Sequence, residues 1–598
     1  MAALQPYTID QFKGVNKSAT ETLLELGEAS NMSNWIITND NKLRKMFGYT
    51  QLFATLGAHK INGMWHGSLS GTAHLIFACN GHVYEHNLTT AANTDLGAVV
   101  DAFPTTFFVA NNTIYIMDGT DLYSWAGTGS IATVAGYVPT VYTAAPPTGG
   151  GTMLESINYL TGKKTQKFSG NGSATVFQLA ELGIDSVDSV YVGGVLKSEG
   201  TDYTVSKPNG TVTFTAAPAT GVNNVPITWT KTVTGDRNTI VKNRCYGGVY
   251  YARYWIFGNA DHKNTRYPSG VTMAGASDPS FWPKFAESDV GEYEITDICT
   301  QYNKQIIFTS GDSAEASAWY SEEQDYIDPT TGAIMALFPV YPINSKVGNV
   351  AKGQVQIIKN NPFTLWKGIY EWVSTYVMNE KNAEWISKRV QNDLDAVDLT
   401  TALTVDWADK GQYIVCVGKK GWIFNYRIEG GAWYILEIPD TPTCFCLVGA
   451  DLYFGTTAGQ IMRFDETLGT FNGTNIVAEW EMGYFNFGVE WLRKFVQRLF
   501  LSMLPLTKAH VDVYLKTDRN SNYQFVKTIS YSLSSFETWD FSDFSFETNY
   551  SPQPFKMKIR AKKIDYLKIK LVNDDTDGAV VLSLTFPTRT GGEVKNRG

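Results

Sequence analysis

The chain has 598 residues, of which 43% are hydrophobic, 13% aromatic and only 18% charged, with 53 glycines and a formal net charge of -9. It is too long for one hydrophobic core and too apolar to be disordered, and its many aromatics and turn residues point to an all-β protein of several domains. A net negative charge also argues against a general nucleic-acid binder, which is basic overall.

The charge is uneven: 471–598 carries 17 Lys and Arg against 14 Asp and Glu, so the preceding residues hold an excess of twelve acids. The opening MAALQPYTID lacks the charged and apolar regions of a secretory signal, and no run approaches the roughly 18 apolar residues of a membrane helix. Synthesis in a reducing cytoplasm is therefore expected. Most of the six cysteines sit in apolar runs such as LIFACNG and YIVCVGK, which predicts buried thiols rather than a disulfide framework.

Residues 73–88 (AHLIFACNGHVYEHNL) read as strand, Asn80-Gly81 turn and strand. Residues 105–127 repeat the pattern with Asn111-Asn112 and Asp118-Gly119, pairs that supply the positive φ of tight hairpins. A Pro/Gly linker at 144–152 then opens a module whose strands alternate cleanly: Phe177 with Leu179, Val190 with Val192, Val212 with Phe214. With its linkers it spans 144–235 and predicts a small Ig-like β-sandwich inserted through a loop. Its hairpin SVYVGGVLKSEGTDYTV (189–205) carries Tyr191 and Tyr203, the aromatics expected to face outward as a contact surface.

Strand–turn–strand units resume at 244–258, 295–312, 350–368, 413–438 and 443–465. Short antiparallel pairs at roughly 40–50-residue spacing, often closing on an aromatic, are the signature of a β-propeller. About seven blades, within a range of roughly six to eight, are expected from 51–143 and 236–470, with 1–50 packing on or entering the propeller. The strand-dense 471–598 predicts a C-terminal β-sandwich.

Chemistry is sparse. His82 and His86 lie four residues apart on one strand, about 13 Å, too far to share an ion. NDDTDG (573–578) starts like a calcium loop, but its twelfth position, where a bidentate glutamate belongs, is Leu584, so a hairpin turn is expected. P-loop, HExxH and GxSxG motifs are absent. No catalytic, cofactor or metal residue is nominated. In KMKIRAKK, Lys556, Lys558, Arg560 and Lys562 fall on one strand face, a basic stripe suited to an acidic neighbour or to nucleic acid.

The opening IDQFKGVNKSATETLLELGEASNMSNWIITNDNKLRKMFGYTQL resembles the start of bacteriophage virion proteins of the tail-hub, tail-nozzle and packaged-DNA-stabilisation type. Those proteins begin with a GVN…GEA…N…LRKR.GY pattern; Met46-Phe47 stand where they carry arginine or proline before the glycine. GASDPSFWPKF (275–285) resembles their S…DP..FWP element, and the insertion resembles a small β module of phage tail and fibre proteins. The resemblance implies a structural virion protein rather than an enzyme, with no cofactor. It implies a homo-oligomeric ring, often of six copies, forming a hub or nozzle below the portal or adaptor. Genomic DNA would be retained and then ejected through it without sequence specificity, and tail fibres or other tail proteins would attach to it. The alternative reading is a receptor-binding tail propeller whose insertion contacts a host glycan or protein.

Overall fold

The computed structural model describes residues 4–311, 317–327, 334–373, 382–506, 508–532 and 551–594. Two compact units emerge: Asn62–Val355 with Ser374–Asn382, and Met1–Ile61 with Gln356–Val373 and Ala383–Gly598.

Four four-stranded antiparallel sheets succeed one another in the first of these. The opening sheet runs through Thr72–Cys79 and His82–His86, the second through Thr106–Ala110 and Thr113–Met117, the third through Cys245–Tyr250 and Arg253–Phe257, and the fourth through Ile295–Gln301 and Lys304–Thr309. Asn80 and Gly81 both take positive φ, 53° and 72°, as a two-residue hairpin demands. At Asp118-Gly119 only the glycine does; the Asp118 carboxylate instead accepts the Thr120, Asp121 and Val100 N–H groups. Each sheet is apolar on both faces, so neighbours in sequence bury one another. Ile76 and Val83 pack with Ile114 and Trp125, Phe108 and Met117 with Ile256 and Trp282, and Phe257 and Val290 with Ile298 and Ile307.

The insertion is a two-sheet sandwich between Thr140–Ala145 and Gly221–Thr230, cored by Phe168, Phe177, Val190, Val225 and Trp229. Its base is fixed by the FWP element. Asn158 donates to the Tyr137 and Ser280 carbonyls and accepts the Trp282 N–H, while the Trp282 indole donates to the Pro279 carbonyl.

The second unit adds a four-stranded sheet, Gln356–Ile358 to Ala383–Trp385. Two more runs of four antiparallel strands lie within larger sheets: Leu403–Trp407 to Ala432–Glu437 in a ten-stranded sheet, and Pro442–Val448 to Ile461–Phe464 with Tyr49–Gln51 in a six-stranded one. Seven such runs of four antiparallel strands, five of them separate sheets, make an all-β fold of the β-propeller class. Glu28–Ser33 then joins the sixth of them, at Ser33 opposite Ile435, to Ala478–Met482 and the C-terminal strands. Gln5–Ile9 and Leu43–Lys45 both pair with Val580–Glu593 in the other C-terminal sheet.

The N-terminal motif residues make these joints fit. A Cβ on Gly14, whose φ is 84°, would stand 2.6 Å from the Trp433 carbonyl oxygen, and one on Gly48 would stand 1.9 Å from that of Thr470. Neither position has room for a side chain. Glu28, 4% exposed, accepts from Asn16 and pairs with Arg389.

Lys45 is 4% exposed, and its ammonium enters the NDDTDG loop. It donates to Asn573 Oδ1 at 2.7 Å, to the Asp577 carbonyl at 3.3 Å and to the Asp575 carbonyl. The loop therefore cradles a cation, as its sequence hints, but the cation is covalently part of the chain. Burial pushes the Lys45 ammonium down to about 8, leaving it charged at neutral pH.

Lys45→Met is expected to destabilise this unit by about 1–3 kcal/mol, because it removes a donor from the buried Asn573 side chain and from two carbonyls of the loop; calorimetric unfolding of the full chain measures it. Asp297 supplies a pH dependence. Burial pushes its carboxyl up to about 7 from 3.8, against the Val355 and Ile298 N–H groups that hold it down. Between about pH 4 and 7 the native state keeps a proton that the unfolded chain has lost, so stability falls as pH rises through that window. Asp297→Asn is expected to flatten that slope in denaturant titrations across the same range.

Candidate interaction face

Gln553–Ile564 pairs with Leu492–Met503, which pairs with Val580–Glu593. Alternation turns Met557, Ile559 and Ala561 inward, none more than 4% exposed, together with Val496, Leu499, Leu584 and Phe586. Lys556, Lys558 and Lys562 are exposed on the opposite face. The Arg560 side chain lies outside the described residues.

Sheet register adds two cations that the linear stripe does not contain. Arg498 stands directly opposite Lys558, and Lys562 faces Phe495, which faces Arg589. Arg498 and Arg589 are both exposed. These five cations form no ion pair among the described residues, and the three strands bring only one acid, Glu593 at the far end of the last strand. Like charges directly opposite across a ladder cost some tenths of a kcal/mol, up to about 1. The fold carries that cost on one face of a bulged antiparallel sheet. Such a face attracts polyanions or an acidic protein surface.

The two tyrosines of the insertion part ways. Tyr191 is 37% exposed and stands opposite Leu196, 59% exposed, beside Val195 at 59%, at the tip of a hairpin turned by Gly193 and Gly194. This is an apolar tip on a polar module. Tyr203 does not belong to it: the ring is 5% exposed and packs in the sandwich core against Phe214, its cross-strand partner, with ring centroids 6.1 Å apart. The expectation of an outward Tyr203 is corrected accordingly.

His82 pairs with Asp95 and His86 with Asn93, each on its own neighbour along the strands. None of the six cysteines is in a disulfide. Burial pushes the Cys245 and Cys416 thiols up to about 12 and that of Cys79 to about 11, which suppresses their nucleophilic thiolate forms.

No protein-family model matches this chain, and no curated protein matches it. Among solved structures it is similar to a chain of a mitotic checkpoint complex, at 8% identity and a TM-score of 0.34, covering 70% of this chain and 92% of that one. It is also similar to BamB from Moraxella catarrhalis, at 11% identity and a TM-score of 0.30, covering 78% and 98%. A computationally designed protein, Ika8, matches at 9% identity and a TM-score of 0.30, covering 69% and 99%. These scores are low, and the fold assignment rests on the sheet order itself.

Because the five cations make no described ion pair, reversing one should leave the fold intact. Lys558→Glu, which sets a carboxylate opposite Arg498, is expected to raise the unfolding free energy by some tenths of a kcal/mol, up to about 1, and thermal denaturation of the purified variant checks it.

Proposed function

We propose that this chain is a structural virion protein of a bacteriophage that assembles as a ring of identical subunits, a hub or nozzle below the portal or adaptor. DNA is held and then released through the ring, and other tail parts attach to its outside. The observation that carries the reading is electrostatic. The unit Asn62–Val355 with Ser374–Asn382 holds 17 Lys and Arg against 26 Asp and Glu, so it carries the whole net charge of -9; the other unit holds 32 of each sign and displays the basic face.

A positive face on one copy and a negative unit on the next are complementary but not the same patch. The contact they favour is therefore heterologous, and heterologous contacts that close generate rings. An acidic channel wall repels phosphates, so it lets a duplex slide where a basic one would hold it. The motifs that carry the family resemblance also support the reading, because Gly14, Lys45, Gly48 and Trp282 all serve architecture rather than chemistry.

A second reading, a receptor-binding tail propeller, draws on the exposed Tyr191, Val195 and Leu196 tip. In the ring reading the same tip serves as an attachment point for a fibre or another tail protein.

Native mass spectrometry at low ionic strength is expected to find a closed ring of about six copies. The ring should dissociate as salt approaches roughly 1 M, where the screening length falls to about 3 Å. The double variant Arg498→Glu, Lys558→Glu is expected to be a folded monomer under the same low-salt conditions. A monomer from the unaltered chain at every ionic strength would overturn the ring reading and favour the receptor-binding one.

A further inference from the structure

We propose that His510, Asp512 and Asp574 form a binding site for a first-row divalent transition metal of the zinc class. One donor atom from each lies within 4.8 Å of the others, and His510 Nε2 is 3.6 Å from Asp512 Oδ1. Ligands bound at about 2.0–2.2 Å and at tetrahedral or octahedral angles are separated by about 3–3.5 Å, so small side-chain rotations complete the set.

The arrangement follows from local structure. His510 and Asp512 are two apart on the strand Lys508–Thr517 and so share a face, with Val511 between them fully buried on the other side. Asp574 arrives from the loop after Leu567–Asn573, and that loop is pinned to the same strand. Asn573 Nδ2 donates to the His510 carbonyl at 2.7 Å, and Ala509 bridges to Gly578. Thr528 Oγ1 donates to Asp512 Oδ1 at 2.5 Å and orients that carboxylate, the kind of outer contact that tunes a metal ligand.

Charge favours a further cation. Asp574 stands near Asp512 and shares its loop with Asp575 and Asp577, which face the Lys45 ammonium already held by the Asn573 side chain and two loop carbonyls. Lys508 precedes His510 on the same strand face, so four acids stand against two cations. A donor set with one imidazole and two carboxylates selects a zinc-like ion over calcium or magnesium, which take oxygen ligands. Three protein donors leave coordination positions for water or for a group from a bound partner.

Isothermal titration of the chelator-treated full chain with Zn2+, and with Co2+ as an optical probe, tests the site. One saturable site per chain is expected, with a cobalt d–d spectrum, and with affinity at least about tenfold weaker in His510→Ala and in Asp574→Asn. Zn2+ at saturation should raise the melting temperature of the unaltered chain and not that of Asp574→Asn. The Asp574 side chain is exposed, so this second variant decides the matter even where His510→Ala fails to fold. No saturable binding, binding that neither variant weakens, or calcium binding that survives His510→Ala would overturn the assignment.

Discussion

An ammonium taken out of water must find several oxygens or give up its proton, and Lys45 finds three of them in a loop 528 residues further along the chain. The tie works in both directions. Without it the buried Asn573 side chain would lose a donor, and Leu43–Lys45 would lie on the C-terminal sheet by two ladder pairs, Leu43 with Val581 and Arg44 with Val580, and the Lys45 N–H to the Ala579 carbonyl. The joint matters beyond its own strand, because the same short N-terminal segment then continues into Tyr49–Gln51 and pairs with Ile461–Phe464 in a six-stranded sheet. The first fifty residues are thus neither a tail nor a domain. They are a lace through two β-layers.

The glycines of the segment express the same constraint. Gly14 and Gly48 lie where the backbone passes a carbonyl too closely for any side chain, so the lace fits only along one path. Asn34 fixes a third point, donating to the Glu437 and Val477 carbonyls and accepting the Glu437 N–H. A motif built from small residues and one cation has the character of a joint.

Local patterns made much of this legible. Two-period alternation and Asn-Gly turns located the strand pairs, and KMKIRAKK disclosed which of its residues face solvent. Pairing between distant segments stayed hidden, because nothing near Tyr49 indicates that its partner is Phe464. For the same reason the basic stripe was visible as one strand while Arg498 and Arg589, which widen it into a face, were not. Tyr203 was misread because its burial is set by its cross-strand partner, Phe214, rather than by its own neighbours. NDDTDG reads locally as a hairpin turn, and the Lys45 ammonium that it holds comes from so far along the chain that no local rule reaches it. The alternation His510-Val511-Asp512 was a readable signal; that Asp574 joins it depends on the loop docking.

Electrostatic asymmetry links this architecture to assembly. Like charges stand side by side on Gln553–Ile564 and its neighbours while the excess acid resides in the other unit, and the proposed ring would bring the two together between adjacent copies. Electron cryomicroscopy of the purified chain at low salt tests that account most directly. The account predicts a closed ring with an axial opening in which Gln553–Ile564 meets an acidic surface of the adjacent subunit. Dispersed single copies, or a ring that leaves this strand in solvent, would contradict it.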